Sequence, residues 1–152
     1  MIKYIKANLS HVEQMQDLVQ PFVDDGTILI RSADEISTNI RSYTLAFKDD
    51  ILVGFTALHI HTNSLAEIRS LIVTEKVQGL GIGKELVCAA LEEGESLGLK
   101  EVLVLTYKQL FFEKLGFEEI PKESLPEHKI WADCIKCKHF PVCNEVSLLK
   151  RY

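Results

Sequence analysis

Three glycines at every second position, Gly79, Gly81 and Gly83, stand between the apolar run Leu71–Val73 and a helical pattern. A glycine-rich turn that leads from a strand into a helix can bind an anion, because backbone N–H groups converge there and the helix dipole adds positive potential. Glycine suits such a turn because a Cβ atom would keep phosphate oxygens away from the amides. The segment therefore predicts a pyrophosphate site. The simpler alternative is a tight connection with no ligand.

Two common phosphate-binding motifs do not match this segment. The P-loop requires Ser or Thr after its lysine, whereas Lys84 is followed by Glu85. The dinucleotide fingerprint places G-x-G-x-x-G after the first strand of a βαβ unit, whereas these glycines lie in mid-chain at a different spacing. Neither motif explains the glycines.

The segment does fit Gln78-x-x-Gly81-x-Gly83, which resembles the coenzyme A loop Q/R-x-x-G-x-G/A of the GNAT acetyltransferases. The stretch Phe112–Phe117 also resembles the Y-x-x-x-G-F signature with which that family closes. The resemblance implies acetyl-CoA as cosubstrate, with its pantetheine arm along a strand and its pyrophosphate on the loop amides, where Lys84 adds charge. The implied contacts are Leu71, Ile72 and Val73 for the arm, and Gln78, Gly79, Leu80, Gly81, Ile82, Gly83 and Lys84 for the pyrophosphate.

One position departs from the family pattern. Many GNAT enzymes have a tyrosine where this chain has Phe112, and that tyrosine protonates the departing coenzyme A thiolate. Because phenylalanine has no proton to donate, another acid is needed. Tyr107 and Thr106 follow the preceding strand, and we favour Tyr107 as the acid. The alternative is that Tyr107 is a core aromatic residue with a solvated hydroxyl.

The acceptor amine must lose a proton before it attacks the thioester, and Glu67 is the candidate base. Period-two alternation places Glu67 and Arg69 on one sheet face, unless a bulge, usual in the family, alters it. A cation at that distance favours the ionised carboxylate. His59 and His61 share a face of the neighbouring strand and are rival bases. We expect direct attack, with a backbone amide near residues 71 and 72 polarising the carbonyl.

A narrower resemblance concerns the acceptor. Four segments resemble the acetyltransferase domain of the N-acetylglutamate synthases, which acetylate L-glutamate in the first step of arginine biosynthesis: 26–32, 66–71, 104–106 and 125–131. Glutamate brings two carboxylates, which favour arginine anchors with a bidentate fork. The candidates for binding these carboxylates are Arg31, Arg69 and Lys136. The alternative for each of the three is a solvated charge on the protein surface.

Two other functions remain open. The first is a GNAT enzyme that acetylates another small amine or a protein N-terminus; a polycationic acceptor would require an acidic groove. The second is a sensor that binds acyl-CoA without catalysis, for which the phenylalanine at position 112 is the only indication.

The segment 131–145 contains Cys134, Cys137 and Cys143, with His139 close by. The C-x-x-C pair followed by a third cysteine is typical of zinc ligands, but a second pair is missing. In a reducing compartment the alternative is free thiols. A zinc site is therefore possible but not favoured, and we predict no metal requirement.

Composition limits the class of protein. The chain has 152 residues, 47% of them hydrophobic, and a net charge of −5, which argues against a nucleic-acid partner. No apolar run is long enough to span a bilayer and the N-terminus lacks a signal-peptide core, so we expect a cytoplasmic protein. We expect one acetyltransferase domain over residues 1–152. The resemblance implies the short, stand-alone form of N-acetylglutamate synthase, which does not carry the amino-acid-kinase domain of the larger form. A homodimer remains open.

The predicted elements form a mixed α/β sheet of the GNAT type, with antiparallel and parallel parts and helices on both faces. Capping boxes at residues 10–13 and 32–35 start two helices, the second running towards Arg41. Asp49 and Asp50 suit a hairpin turn. The predicted strands are 2–7, 43–48, 51–61, 66–73, 101–106 and 117–120; later helices end at Gly98 and run from 110 to 115.

Overall fold

The computed structural model describes residues 1–26, 31–121, 124 and 146–152. Within these residues seven strands form one mixed sheet, flanked by four α-helices and three short 3-10 turns. The strands are β1 (Ile2–Lys6), β2 (Tyr43–Lys48), β3 (Ile51–Ile60), β4 (Leu65–Val73), β5 (Glu101–Thr106), β6 (Glu118–Ile120) and β7 (Val146–Arg151). The helices are α1 (Val12–Asp24), α2 (Ala33–Thr38), α3 (Ile82–Leu97) and α4 (Gln109–Glu113).

The strand order is β1-β2-β3-β4-β5-β7-β6. Only the β4–β5 pair is parallel among these described strands; the others pair antiparallel. Strand β7, which was not predicted from the sequence, lies between β5 and β6 and completes the sheet. Its Val-x-Leu-Leu stretch is the apolar signal that could have identified it.

Helices cover both faces of the sheet, as predicted. On one face, α1 and α2 pack Met15, Val19 and Ile36 against Leu45 and Phe55. On the other face, α3 packs against β2, β3 and β4. The core on this face includes Val87, Ala90, Leu91, Ala66, Ile68 and Val102. The two cores hold β4, which carries the candidate chemistry, as a central strand of the sheet.

The first predicted helix cap is wrong and the second is confirmed. Asn8, not Ser10, caps the first helical turn: its Oδ1 accepts a hydrogen bond from the Ser10 N–H at 2.9 Å. Its own N–H donates to Nδ1 of His11 at 3.0 Å, so the reciprocal box forms two residues earlier than predicted. Ser32 does cap α2, accepting from the Glu35 N–H at 3.1 Å. That helix ends at Thr38, and a 3-10 turn follows it.

The β2–β3 hairpin turns at Asp49 and Asp50, as predicted. Both have positive φ, 51° and 66°, the left-handed conformation that two-residue hairpin turns of type I′ require.

A bulge interrupts β4 immediately after the charged pair. Ser70 has a φ of 53°, and Ser70 and Leu71 together lie opposite the single residue Thr56 of β3. The Thr56 hydroxyl donates to the Arg69 carbonyl at 3.1 Å and holds the kink. Because the bulge follows Arg69, the alternation of residues 67 and 69 is preserved. After it, Ile72 packs on the α1 side.

Beyond the bulge β4 and β5 separate. Their parallel ladder runs from Leu65 opposite Glu101 to Ile68 opposite Val104 and ends there. Strand β4 continues to Val73, while β5 continues to Thr106 paired with β7. The result is a wedge between two neighbouring strands, with the backbone edge of residues 70–73 along one side.

Candidate active site

The glycine-rich loop joins the end of β4 to the start of α3. Gly79 and Gly81 have φ of 91° and 79°, and Gly81 is the N-cap of α3. A Cβ atom on either would meet nothing within 4 Å, so backbone conformation, not crowding by the protein, is what requires glycine there. Gly83 differs, since it lies in the first turn of the helix.

The N-terminus of α3 fits an anionic group. Its N-cap residue, Gly81, has no side chain to accept from the helix, and the first amide N–H groups of this 16-residue helix have no intrahelical partner. Residues 78–81 and Lys84 are exposed. Left-handed glycines before an uncapped helix make the concave array of amides that binds phosphate.

Gln78 contributes to the shape of the loop. Its Nε2 donates a hydrogen bond to the carbonyl of Val73 at 3.1 Å, which ties the loop to the last residue of β4. The structure thus assigns to this side chain a bracing contact that its place in the coenzyme A motif did not indicate.

Gly83 lies near the last residue of β4 and near α4. A Cβ atom on it would lie 3.7 Å from Cζ of Phe111 and 3.8 Å from Cγ2 of Val73. Phe111, which is half-buried, was not predicted from the sequence as a neighbour of this loop.

The two adjacent phenylalanines have different roles. Phe112 is 2% exposed and packs edge-to-face against Phe111 and Phe117, with ring centroids 5.0 and 5.4 Å apart. Tyr107, the predicted general acid, is 51% exposed just beyond β5, so it is not a core aromatic. The Thr106 hydroxyl accepts from the Lys108 N–H at 2.9 Å. Tyr107 remains the predicted acid.

Glu67 lies at the centre of a buried polar cluster with two neighbours on one oxygen. Nε2 of His61 is 2.9 Å from its Oε1, and Nε of Arg69 is 3.4 Å from the same atom. The side chains of His61 and Glu67 are each 2% exposed and that of Arg69 is 13% exposed. The predicted proximity of Glu67 and Arg69 is confirmed.

His59 and His61, the rival bases, are distinguished by the structure. Their rings meet edge-to-face at 4.9 Å, with His61 turned to Glu67 and His59 turned to a surface pocket. Burial first, and then the positive charge of Arg69, lower the pKa of His59 to about 4. His59 is therefore neutral at pH 7.

A pocket opens beside the bulge on the α2 side of the sheet. It is a shallow concavity that is partly open to solvent. Its lining residues are Arg31, Asn39, Ser42, Tyr43, Ala57, His59, Arg69 and Ser70. The pocket brings together two of the three predicted anchors, which are 38 positions apart in the chain.

Burial and the two arginines shift the pKa values of groups that line the pocket. Burial lowers the pKa of the Arg69 guanidinium, and the neighbouring Glu67 charge opposes that shift. Burial raises the pKa of Tyr43, against the effect of both arginines, so its hydroxyl keeps its proton at neutral pH. Arg31 also forms a 3.7 Å ion pair with Glu35. Tyr43, Asn39 and Ser42 add a polar lining that was not predicted from the sequence.

The remaining predictions fall outside the described residues: Lys136, Cys134, Cys137 and Cys143. Where residues are described, no group of three or more His, Cys, Asp or Glu side chains is placed to hold a metal ion. The helices of that same part of the chain include none with the length and apolar character of a membrane span.

The sequence is similar to a known protein family and to individual acetyltransferases. Residues 12–117 match the acetyltransferase (GNAT) family. An uncharacterised N-acetyltransferase of Chlorobaculum tepidum is 35% identical over 144 residues, 95% of this chain and 92% of that protein. An amino-acid acetyltransferase of Mycobacterium tuberculosis is 32% identical over 119 residues, 76% of this chain and 67% of that protein.

A solved structure has the same fold. The N-acetylglutamate synthase of Neisseria gonorrhoeae, complexed with coenzyme A and N-acetyl-glutamate, matches with a TM-score of 0.88 at 22% identity. The match covers 99% of this chain and 35% of that one, so this chain corresponds to about a third of the larger protein.

Proposed function

Because the chain belongs to the acetyltransferase (GNAT) family and is thus an acetyl-CoA-dependent N-acetyltransferase, we propose that it acetylates the α-amine of L-glutamate. The observation that carries the proposal is the pocket beside the β4 bulge, in which Arg31 and Arg69 line one cavity. This would be the first step of arginine biosynthesis, as implied by the sequence resemblance.

Two arginines in one pocket favour a dicarboxylic acceptor. A guanidinium pairs with a carboxylate through two parallel hydrogen bonds, and such charge-assisted pairs are among the strongest polar contacts in proteins. A polyamine would be repelled by the same two charges. Lys136 is proposed as a third anchor. The amino-acid acetyltransferase named among the relatives, and the N-acetyl-glutamate bound by the Neisseria enzyme, also support an acidic amino acid.

The cosubstrate would be held by backbone. The amides of residues 79–84 would bind the pyrophosphate, with Gln78 bracing the loop and Lys84 adding charge. The edge of Leu71, Ile72 and Val73 would bind the pantetheine arm in the wedge where β4 leaves β5. An N–H of Leu71 or Ile72 would polarise the acetyl carbonyl, because the bulge turns the backbone at that point.

Transfer would then proceed by direct attack. Glu67, which is 2% exposed, would take the proton from the acceptor ammonium through a water, because it does not line the pocket. The neutral nitrogen attacks the carbonyl carbon and the new C–N bond forms. As the C–S bond breaks, the nitrogen releases its second proton to solvent water and becomes the amide nitrogen. The departing thiolate takes a proton from the Tyr107 hydroxyl.

Arg69→Ala is expected to raise the KM for L-glutamate tenfold or more. Loss of a charge-assisted pair costs about 1.5 to 3 kcal/mol. The KM for acetyl-CoA should stay within about twofold, since the arginine faces the acceptor pocket and not the wedge. Steady-state kinetics with each substrate varied in turn provides the measurement. Arg41→Ala is the matched control, because Arg41 is exposed and is not among the pocket residues.

A thiol-release assay over the twenty amino acids and a set of polyamines tests the function itself. The highest kcat/KM is expected for L-glutamate. Faster turnover of polyamines or of peptide N-termini would refute the two-arginine argument. Binding of acetyl-CoA without turnover of any amine would favour a sensor.

A further inference from the structure

We propose that His61 is a positioning residue for Glu67: its Nε2–H donates to Oε1 of the carboxylate and holds it ionised and oriented towards the acceptor amine. The inference rests on the proposed role of Glu67 as base. It concerns a histidine that does not line the acceptor pocket and that the mechanism above does not use.

The contact itself is the first argument. Nε2 of His61 lies 2.9 Å from Oε1 of Glu67, and both side chains are 2% exposed. A buried carboxylate without donors is strongly disfavoured in its ionised form, so a base at this depth requires hydrogen-bond donors. An ionised carboxylate accepts hydrogen bonds and donates none. The proton of this contact must then reside on the imidazole at Nε2.

A second argument comes from the Arg69 contact. Its Nε lies 3.4 Å from the same Oε1, longer than a good hydrogen bond, so the arginine supplies charge more than direction. Arg69 also lines the acceptor pocket. If Arg69 engages a substrate carboxylate, a separate group must keep Glu67 in place, and the shorter contact from His61 fits that task.

The groups around His61 are compatible with an imidazole whose Nε2–H donates to Glu67. The charged or titratable groups that act on the cluster include His59, Glu67, Arg69, Arg31, Tyr43 and Glu35. His59 meets the His61 ring edge-to-face, so it packs against the ring without replacing its contact to Glu67. Since His59 is neutral at pH 7, it adds no charge that would compete for the carboxylate.

Substitution of His61 separates positioning from folding. In His61→Leu we expect kcat to fall about tenfold or more and the acidic limb of the pH profile of kcat/KM to move up by about one pH unit. The reason is that a hydrogen bond to a charged group is lost and one pH unit corresponds to about 1.4 kcal/mol. In His61→Gln, whose Nε2 can reach a similar position, most of both effects should disappear. The KM for acetyl-CoA should not change in either variant.

The outcomes distinguish this inference from the proposed function. A wild-type protein that ignores glutamate but acetylates another amine would refute the acceptor, and the two variants would then be compared on that amine. A folded His61→Leu variant with wild-type kcat and pH profile would refute the role of His61. If His61→Leu is inactive and His61→Gln does not restore the profile, the role is merely structural and the inference is wrong.

Nitrogen-15 NMR of the imidazole provides a test that needs no activity. At neutral pH, Nε2 of His61 in the wild-type protein should carry a proton, whether or not Nδ1 does. An Nδ1–H tautomer with a bare Nε2 would mean that Glu67 donates the proton, and this would overturn the proposal. Circular dichroism and thermal unfolding of both variants verify that they fold.

Discussion

Replacing Glu67 by glutamine is expected to lower kcat with L-glutamate roughly 10²- to 10⁴-fold near pH 7, the range that general bases contribute. Glutamine keeps the size of the side chain and can still meet the donors at Oε1, but it cannot accept the proton of the acceptor ammonium. The loss should become smaller as pH rises towards and beyond about 8, because more of the α-amine is then unprotonated without help. The measurement is the pH dependence of kcat for both proteins.

Glu101→Gln is the matched control for this experiment. Glu101 lies at the start of β5, at the opposite end of the β4–β5 ladder from the wedge, and its carboxylate pairs with Arg151. The same chemical change there should leave the rate within about twofold. Glu67→Gln turnover at the wild-type rate near pH 7 would show that Glu67 is not the base. His59 would then be the next candidate, because it lines the pocket and is unprotonated. Its pKa of about 4 makes it a weak base.

Replacing Gly83 by valine is expected to weaken coenzyme A binding by about 10- to 100-fold or more. The site tolerates a Cβ atom, which would lie in ordinary contact with Phe111 and Val73. The two methyl groups of valine would extend towards Phe111 and Val73, between which we propose that the cosubstrate passes from the loop to the β4 edge. Crowding of this kind costs about 1 to 3 kcal/mol, and each 1.4 kcal/mol is tenfold in affinity. Titration calorimetry with coenzyme A measures the change.

Gly83→Ala is the control for size at the same position, and it should bind coenzyme A within a few-fold of wild type. Both variants should fold, because residue 83 has helical backbone and lies in the first turn of α3. Equal affinity in a folded Gly83→Val variant would contradict the proposed route of the cosubstrate between Val73 and Phe111.

The glycine-rich loop and the charged pair on β4 could be predicted from sequence because both are local. A glycine such as Gly81 indicates a positive φ in the sequence itself, because glycine adopts that conformation without steric cost. The shared face of Glu67 and Arg69 follows from the period of a strand, and the bulge that could have reversed it begins one residue later. The Ser32 cap is local in the same sense. The Ser10 prediction failed because Asn8, two residues earlier, offers an equally good capping oxygen.

Contacts between distant segments were decided by the tertiary structure alone. Arg31 and Arg69 line one pocket because α2 packs on the sheet face that also buries Ile72 of β4. Their positions in the sequence do not indicate that they meet. The roles of His59 and His61 separate only through the β3–β4 register, which sets His59 opposite Glu67 and lets His61 reach back to its carboxylate. Strand β7 enters between β5 and β6 from the end of the chain. Periodicity specifies which face of an element is apolar, whereas register and packing select which residues of different elements meet, and those pairs set burial, charge and the proposed chemistry.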